Sequence, residues 1–531
     1  MGRVRSVVRG ALATLRRAAP PLALASALVL APGAIPASAT AATSAAASAS
    51  PALRTGQEHD IPPLLDDDGR TLTVHGWNVE DKEHHGDAAL SAITERQFRD
   101  LRSHGFNFAR LLIFWDDLEP RRGQYSPRYL GKIERILNWA EKYDVQVLID
   151  AHQDVFGPAF GHRGIPAWAT RTDGLPFTPH PDDWFAEYYE PAVQRAFTHL
   201  YADPDLQRAQ GRMWRLLADR FGGHPAVFGY DLINEPMGEL RKGEELPTAA
   251  RRIEAQQITP MYNRLTRYIR AVDRDSRLFI EPTPIVGEGV PTGLGTVRDR
   301  HVVYAPHFYN AAMEAGADYD PKAGWIESYE AAVTRYPRRQ RIPVVVGEWG
   351  PLNNGLPNMN RFYRDALASL ARYSSGWAGY VWCYGGGYCA ADREGRLRTN
   401  KELTAAPYAA AVAGRARSQV HDPGRGRYRL VYDAHPGGRT EISLPPAARF
   451  RMVAVSGGAW SDTRAVPPGR PAVVTVRSPR RTRVIVTVST AGDGHFVRPA
   501  GGLLPDRDAP AALAREGVAR VVRVAVVVVR S

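Results

Sequence analysis

The sequence predicts an α/β fold, a (β/α)8 TIM barrel followed by a small C-terminal β-sandwich. Eight segments with the apolar character of buried strands alternate with helical segments over about 360 residues, which is the pattern of a barrel. After Gly414, short alternating segments lie between proline and glycine turns, as in a sandwich. The alternative is an open doubly wound sheet, but no glycine-rich phosphate turn follows the first strand.

The barrel prediction rests on buried runs of strand length and on longer amphipathic segments between them. The predicted strands are Leu72–Asn78, Phe106–Leu112, Val145–Ala151, Ala226–Ile233, Arg277–Glu281, His301–His307, Ile342–Glu348 and Trp377–Cys383. The predicted helices are Ala88–Ser103, Pro127–Tyr143, Trp184–Arg220, Glu254–Val272, Gly324–Tyr336 and Met359–Tyr373, and a last helix is predicted at Lys401–Ala413.

The chain of 531 residues divides into five predicted regions. They are a signal peptide (1–39), a disordered linker rich in alanine, serine and threonine (40–57), the barrel domain (58–416), the sandwich domain (417–491) and a tail to which we assign no role (492–531). The signal peptide is indicated by five early arginines, a short apolar run and the cleavage-site pattern Ala37-Ser38-Ala39. A membrane anchor is the alternative, although the run is too short to span a bilayer. We expect a secreted protein.

The formal charge of +12 falls to about +7 when residues 1–39 and their five arginines are removed. Such mild basicity is typical of a solvated surface, and it would also favour transient contact with anionic membranes or acidic glycolipids. No Lys/Arg run is interleaved with aromatic residues, which argues against nucleic-acid binding. The two cysteines, Cys383 and Cys389, suit a loop disulfide in an exported protein, and without a nearby histidine pair they do not form a zinc site.

A buried run ends abruptly at Asn234-Glu235-Pro236. In a regular strand, Asn234 and Glu235 would point to opposite faces. Pro236 cannot donate to a ladder and restricts the residue before it, so we expect the strand to break there. Both polar side chains can then turn toward one pocket at the carboxyl end of the strand.

A second run, Ile342–Gly347, ends in Glu348. Two carboxylates at the ends of buried strands are what glycoside hydrolysis requires, one protonated and one ionised. We assign Glu235 as the general acid/base and Glu348 as the nucleophile. A structural ion pair is the alternative for each. Glu281, which also precedes a proline at a strand end, is the reserve acid.

The motifs Asn234-Glu235-Pro236 and Gly347-Glu348-Trp349-Gly350 resemble the strand-four and strand-seven signatures of glycoside hydrolase family five, a retaining TIM-barrel family. The resemblance implies that an arginine and a tyrosine hydroxyl contact the nucleophile, that two histidines lie in the active site, and that a strand-eight tryptophan forms a floor beneath the sugar. The matching residues here are Arg110, Tyr309, His152, His307 and Trp382.

Within that family the chain resembles the endoglycoceramidase and endogalactosylceramidase branch. The likeness rests on His75-Gly76-Trp77-Asn78, on Lys82, and on the stretch from Ala151 to Gly157. It implies that Lys82 and Asp154 contact the sugar next to the ceramide, and that a β-sandwich follows the barrel.

The residue types support these roles independently. Asn234 can hydrogen-bond a sugar 2-hydroxyl, and Arg110 can keep a nearby carboxylate ionised. An aromatic such as Trp382 offers a flat apolar face to a sugar ring. Each has a structural alternative: an ordinary ion pair for Arg110, core packing for Trp382 and the histidines, and a solvated loop for Lys82. A metal at His152 and Asp154 lacks a third ligand, so we expect no metal and no cofactor.

We therefore expect a secreted, monomeric, retaining glycosidase that cleaves the β-glycosidic bond between oligosaccharide and ceramide by double displacement. The alternatives are an endo-β-glucanase or β-mannanase on the same barrel, and a non-catalytic carbohydrate-binding protein. The partner is a glycolipid or an oligosaccharide, and the preferred glycan core stays open.

Overall fold

The barrel sheet is formed by parallel strands that follow one another in chain order. The computed structural model describes residues 60–351, 355–422, 425–445, 450–463, 470–490 and 521–526. The first six strands of the barrel are Val74–Val79, Phe108–Phe114, Gln146–His152, Val227–Asp231, Arg277–Ile280 and Val302–Tyr304, and the eighth is Gly376–Gly379. The eighth strand pairs with the first, so the predicted TIM barrel is observed.

The seventh position is occupied by the segment 342–349, which includes the short strand Glu348–Trp349. The backbone N–H of Val345 donates to the Tyr304 carbonyl, and that of Val346 donates to the Gly376 carbonyl, both at 3.0 Å. This segment therefore joins the sixth strand to the eighth and completes the ring. The carboxyl ends of all eight strands point to one face, where barrels place their sites.

The amino end of the barrel is filled by a compact apolar cluster. It contains Phe108, Leu148, Phe228, Phe279, Val303, Val345 and Ala378, one or more from most strands. Polar residues follow these apolar ones along the same inward faces, because side chains alternate with a period of two. The packed lower layer thus supports a polar layer at the carboxyl end.

Most of the helices around the sheet begin at prolines or at capping residues. Ser126 caps the helix that starts at Pro127, and Thr94 with Gln97 forms a capping box. The longer helices are Glu95–Ser103, Pro127–Lys142, Pro191–Ala202, Pro204–Phe221, Leu246–Ile253, Thr259–Arg270, Trp325–Val333, Arg335–Gln340 and Met359–Tyr373. None of the helices in the described ranges is long and apolar enough to cross a bilayer.

Several helix predictions were wrong in detail. The predicted helix Ala88–Ser103 begins only at Glu95, and the predicted helix Gly324–Tyr336 is two helices, Trp325–Val333 and Arg335–Gln340. The predicted helix Trp184–Arg220 is a 3-10 turn and two helices, because Pro191 and Pro204 each start a new helix and force the preceding residue to be extended. The predicted helix Lys401–Ala413 is a short 3-10 turn followed by the strand Tyr408–Val412. Ala409 and Val412 pack in the C-terminal core, and this packing overrides the helix propensity of the segment.

The C-terminal region contains two antiparallel sheets. One comprises Thr71–Leu72, Tyr408–Val412, Arg439–Leu444, Ala472–Arg477 and Trp460–Thr463, and the other Gly414–Asp422, Arg427–Ala434, Arg483–Thr490, Phe450–Ser456 and Val521–Val526. Buried residues of both sheets form one hydrophobic cluster. The strand Thr71–Leu72, just before the barrel, pairs with Tyr408–Val412 and so ties this region to the barrel. The signal peptide, the linker and most of the tail lie outside the described residues.

Close packing of the first two barrel strands leads to a stability prediction. A Cβ at Gly76 would overlap the Phe108 carbonyl group on the neighbouring strand. We expect Gly76→Ala to lower the free energy of unfolding by about 3 kcal/mol, because backbone must move to admit the methyl group. Gly131→Ala is the control: it lies within a helix with open space around it, and we expect stabilisation of about 0.5–1 kcal/mol. Urea unfolding of both variants measures the difference, and equal midpoints would contradict the prediction.

Candidate active site

Arg110 lies at the centre of the polar layer and is completely buried. Its six close partners lie in, or shortly after, five other strands of the barrel. Nε donates to Asp231 (2.9 Å), Nη1 donates to Asn78 (3.0 Å) and Glu348 (2.6 Å), and Nη2 contacts Asn234 (3.0 Å), Glu281 (2.8 Å) and Asp150 (3.0 Å). One guanidinium therefore positions groups from strands one, three, four, five and seven.

The carboxylates around Arg110 outnumber its single charge. Asp150, Asp231 and Glu281 could together hold a cation, but the guanidinium of Arg110 already contacts all three. Burial raises the pKa of Asp231 well above its usual value, and the negative charge of Glu281 raises it further. Burial likewise raises the pKa of Asp150. Both pKa shifts are in the direction that reduces the excess negative charge beneath the site.

Glu235 follows the fourth strand in a left-handed backbone conformation, with φ of +40°. This conformation is uncommon for a residue with a side chain. The backbone N–H of Glu235 donates to Glu281 Oε2 (2.7 Å), and Nε2 of Gln153 donates to the carbonyls of Asn234 (2.8 Å) and Glu235 (3.0 Å). The strand therefore breaks before Pro236, as predicted, and the turn is held from two sides.

His307 stands between the two predicted catalytic carboxylates. Its Nδ1 lies 2.9 Å from Oε1 of Glu235 and 3.9 Å from Oε2 of Glu348. These two oxygens are therefore at most about 6.8 Å apart, within the range seen in glycosidases, where the two carboxyl groups flank one glycosidic bond. The structure thus brings Glu235 and Glu348 to one place, although they lie far apart in the chain.

The two carboxylates have opposite pKa shifts. Burial raises the pKa of Glu235, and the charges of Glu348 and Glu281 add to this rise, although His307 opposes it. Burial would also raise the pKa of Glu348, but His307 and Arg110, together with His152 and Lys82, lower it below its usual value. Glu235 is therefore suited to donate a proton and Glu348 to be ionised, which is the division that glycoside hydrolysis needs.

Glu348 is held at both oxygens. Arg110 donates to Oε1, and the Tyr309 hydroxyl donates to Oε2 at 2.9 Å. Asn234 accepts from Arg110 and donates through Nδ2 to the Gln153 carbonyl (3.0 Å), which fixes its amide beside the pair. The contacts of Arg110 and Tyr309 with Glu348 are those that the resemblance implied, and the contact of Asn234 with a sugar 2-hydroxyl stays a prediction.

A second group of charged residues borders Glu348. Lys82 Nζ lies 2.9 Å from Asp154 Oδ2, and His152 Nε2 lies 3.6 Å from Asp154 Oδ1. Burial and Lys82 lower the pKa of His152, but Asp154 and Asp150 outweigh them and raise it to about 9. Burial opposes ionisation of Asp154, yet Lys82 and His152 hold its pKa below the usual range. The three predicted residues therefore form one charged group that can bind hydroxyls.

Trp382 lies elsewhere than predicted. Its ring is buried in the barrel wall, with centroids 6.2 Å from Trp77, 5.9 Å from Phe106 and 5.7 Å from His104. It therefore contributes to core packing. The aromatic of this segment that faces the carboxylates is Tyr380, two residues earlier.

Tyr380 contacts the charged residues directly. Its hydroxyl donates to Glu80 Oε2 at 2.7 Å, Lys82 Nζ lies 5.4 Å from its ring centroid, and its ring lies 6.5 Å from that of Tyr309. The disulfide between Cys383 and Cys389 closes the following loop, and Tyr388 within that loop packs against Tyr380 at 5.5 Å. The disulfide that the sequence left open is thus present beside the site.

Sequence reasoning missed several residues of this site. Besides Tyr380, they are Asn78, Asp150, Gln153 and Asp231. The available signal was a polar residue inside an otherwise apolar strand, as at Asp150 and Asp231, because such a residue is buried and needs a partner.

A family model described as Cellulase (glycosyl hydrolase family 5) matches residues 65–386, more than half of the chain. The chain belongs to glycosyl hydrolase family 5. The matched residues include both carboxylates and all of the groups that contact them, so the family assignment and the site geometry concern the same part of the molecule.

Relatives within glycosyl hydrolase family 5 include endoglycoceramidases. The chain is 33% identical to an endoglycoceramidase of Hydra vulgaris over 248 residues, 41% of this chain and 47% of the relative. It is 27% identical to endoglycoceramidase I of Rhodococcus hoagii over 474 residues, 85% and 90% of the two chains. A solved structure of endo-glycoceramidase II from Rhodococcus sp. in complex with ganglioside GM3 has a TM-score of 0.71 and 29% identity, and the match covers 81% of this chain and all of that one.

The contrast between Tyr380 and Trp382 can be tested in this family 5 protein. We expect Tyr380→Ala to lower kcat/KM at least ten-fold, because it removes an aromatic face and the Glu80 contact beside Glu348. We expect Trp382→Phe to leave kcat/KM within about three-fold and to lower stability by about 1–3 kcal/mol, as for loss of buried core volume. Steady-state kinetics with urea unfolding measure both effects. A large loss of kcat/KM in Trp382→Phe, together with an unchanged kcat/KM in Tyr380→Ala, would support the original assignment of Trp382 as the floor beneath the sugar.

Proposed function

We propose that this protein is a retaining glycosidase that cleaves the β-glycosidic bond between oligosaccharide and ceramide in glycosphingolipids. The observation that carries the glycosidase part is the pair Glu235 and Glu348, which flank His307 and have opposite pKa shifts. The names of the relatives support the lipid part, since endoglycoceramidases match the chain by sequence and by fold.

The proposed reaction has two displacements. In the first, an ionised Glu348 oxygen attacks the anomeric carbon while protonated Glu235 gives its proton to the leaving oxygen, which releases ceramide and forms a glycosyl ester on Glu348. In the second, ionised Glu235 removes a proton from water, water attacks the anomeric carbon, and the ester bond to Glu348 breaks. The second step restores both carboxyl groups to their starting states.

Retention is favoured over inversion by the limited space between the carboxylates. Inverting enzymes hold the carboxyl groups about 6.5–9.5 Å apart to admit water, and retaining enzymes hold them about 5–5.5 Å apart. The bound of about 6.8 Å set by His307 excludes most of the inverting range. The contacts of Glu348 also suit a nucleophile, because Arg110 and Tyr309 orient its two oxygens.

The ceramide assignment rests on the relatives more than on the loops. In the strand-five loop, Ile285 and Val286 are buried and unavailable to an acyl chain. In the long strand-three loop, Leu175 is 37% exposed and Trp184 is 48% exposed, so apolar surface is present there. An endoglucanase acting on polysaccharide is the second candidate, and a 24% identical endoglucanase C of Acetivibrio thermocellus supports it.

We further propose that the protein is exported, acts as a monomer, and makes transient contact with membrane surfaces that carry its substrate. The basic, apolar N-terminal sequence and the Cys383–Cys389 disulfide support export. The two antiparallel C-terminal sheets and their common core support a β-sandwich domain.

A product profile tests the substrate assignment. We expect digestion of a glycosphingolipid panel to release free ceramide together with the intact oligosaccharide, as resolved by thin-layer chromatography and mass spectrometry. Glu348→Ser is the matched control, and we expect no turnover from it. Reducing sugar from carboxymethylcellulose or mannan without ceramide release would support the polysaccharide enzyme instead. Glycan binding without turnover of any of these substrates would support a carbohydrate-binding protein.

The pKa shifts predict the pH dependence. Activity requires ionised Glu348 and protonated Glu235, so kcat/KM rises as pH increases through the lowered pKa of Glu348 and falls as pH increases through the raised pKa of Glu235. On a phenyl glycoside, whose leaving group still needs an acid, we expect Glu235→Gln to lower kcat/KM, to keep the acidic limb and to lose the alkaline limb that the unchanged enzyme shows. An unchanged alkaline limb in this variant would remove Glu235 as its source.

A further inference from the structure

Glu281 is a buried carboxylate that the proposed reaction does not use. It follows the fifth barrel strand, precedes a proline, and is 1% exposed. Its Oε2 accepts the Glu235 backbone N–H (2.7 Å), and its Oε1 accepts Arg110 Nη2 (2.8 Å) and lies 3.2 Å from His307 Nε2. Since both oxygens are occupied and buried, Glu281 cannot serve as the reserve acid that the sequence suggested.

These contacts join three parts of the site. Arg110 holds Glu348, His307 lies beside both catalytic carboxylates, and the backbone of Glu235 carries the acid/base side chain. Of the three contacts that Glu281 makes, the one with the backbone of Glu235 is the most distinctive. It is made to the peptide group of a residue whose φ of +40° is uncommon outside glycine.

The turn at Glu235 is clamped on both sides of the residue. Glu281 accepts its N–H, and Gln153 donates to its carbonyl. Because Pro236 follows, the chain has no neighbouring N–H with which to continue a strand ladder. These two side chains, which follow other strands, therefore hold the backbone that directs the Glu235 side chain, and His307 contacts its Oε1 at 2.9 Å.

We propose that Glu281 is a positioning residue that directs the acid/base Glu235 toward the leaving-group oxygen. The proposal rests on the proposed acid/base role of Glu235. Both hydrogen-bond partners of Glu281 are donors, which suits an ionised carboxylate because it only accepts hydrogen bonds. Burial opposes this, but His307, Arg110 and the Glu235 N–H outweigh burial and lower the pKa of Glu281.

Glutamine cannot replace Glu281 in this arrangement. A carboxamide has one oxygen and one NH2 group. If its oxygen faces the Glu235 N–H, the NH2 group faces Arg110 and His307, which are donors themselves. In the opposite orientation the NH2 group faces the Glu235 N–H. Either orientation removes a contact that orients Glu235 or the groups beside it.

The test compares two substrates that differ only in their need for an acid. For a pair such as the 2,4-dinitrophenyl and phenyl β-lactosides, we expect Glu281→Gln to lower kcat/KM for the phenyl glycoside at least ten-fold more than for the dinitrophenyl glycoside. Loss of acid assistance affects the poor leaving group most. Glu330→Gln is the matched control, because Glu330 is also a buried glutamate with an arginine partner, and we expect it to leave the ratio unchanged.

The outcome separates this proposal from the proposed function. Glu235→Ala should change the ratio most, and if it does not, the acid role of Glu235 fails. If Glu235→Ala changes the ratio but folded Glu281→Gln does not, the positioning proposal is overturned. Circular dichroism establishes folding. If Glu281→Gln does not fold, the same ratio of kcat/KM values is measured for Glu281→Asp, and an unchanged ratio overturns the proposal. This variant keeps the charge beside Arg110 but withdraws the carboxylate by one methylene from the Glu235 N–H.

Discussion

The buried guanidinium of Arg110 is the interaction on which the site depends. It is the cation at the centre of four carboxylates, and it contacts groups from five other positions of the barrel. A buried charge is stable only when it is paired and hydrogen-bonded, and removing one partner of such a network typically costs about 3–5 kcal/mol. Geometry at the carboxyl face is therefore set by the need to satisfy this one side chain. The apolar layer below supplies the rigid support that holds it there.

Glu235 and Glu348 are both buried, with exposed fractions of 8% and 5%, so burial alone does not distinguish them. Their difference arises from their neighbours. Glu348 faces Arg110, the Tyr309 hydroxyl and, further away, His152 and Lys82, all of which favour its ionised form or orient it. Glu235 lacks the arginine contact and shares His307 with other acids. The effect of burial on its pKa therefore outweighs that of His307, and the pKa is raised. A few ångströms of separation thus give opposite pKa shifts to chemically identical groups.

The charged and aromatic groups around Glu348 lie on loops rather than in the barrel layers. Lys82 and Asp154 follow the first and third strands, and Tyr380 and the disulfide loop follow the eighth. Placing polar groups on loops above a rigid layer lets specificity change without loss of the chemistry below. This separation is in keeping with the similarity of this one barrel to relatives named as endoglycoceramidases and to relatives named as endoglucanases.

The sequence by itself determined the barrel, the two acids and most residues that contact them, because each acid ends a buried apolar run and the carboxyl ends of parallel strands meet on one face. Only the tertiary structure decided which aromatic of the eighth segment faces the site, since the period of two that orients side chains stops where the strand ends, and Tyr380 rather than Trp382 turns inward. It also decided that Asp150, Asp231 and Glu281 surround one arginine, because contacts between distant strands leave no local pattern. The alanine-rich segment before the C-terminal sheets became a strand for the same reason: the surface that it packs against lies elsewhere in the chain.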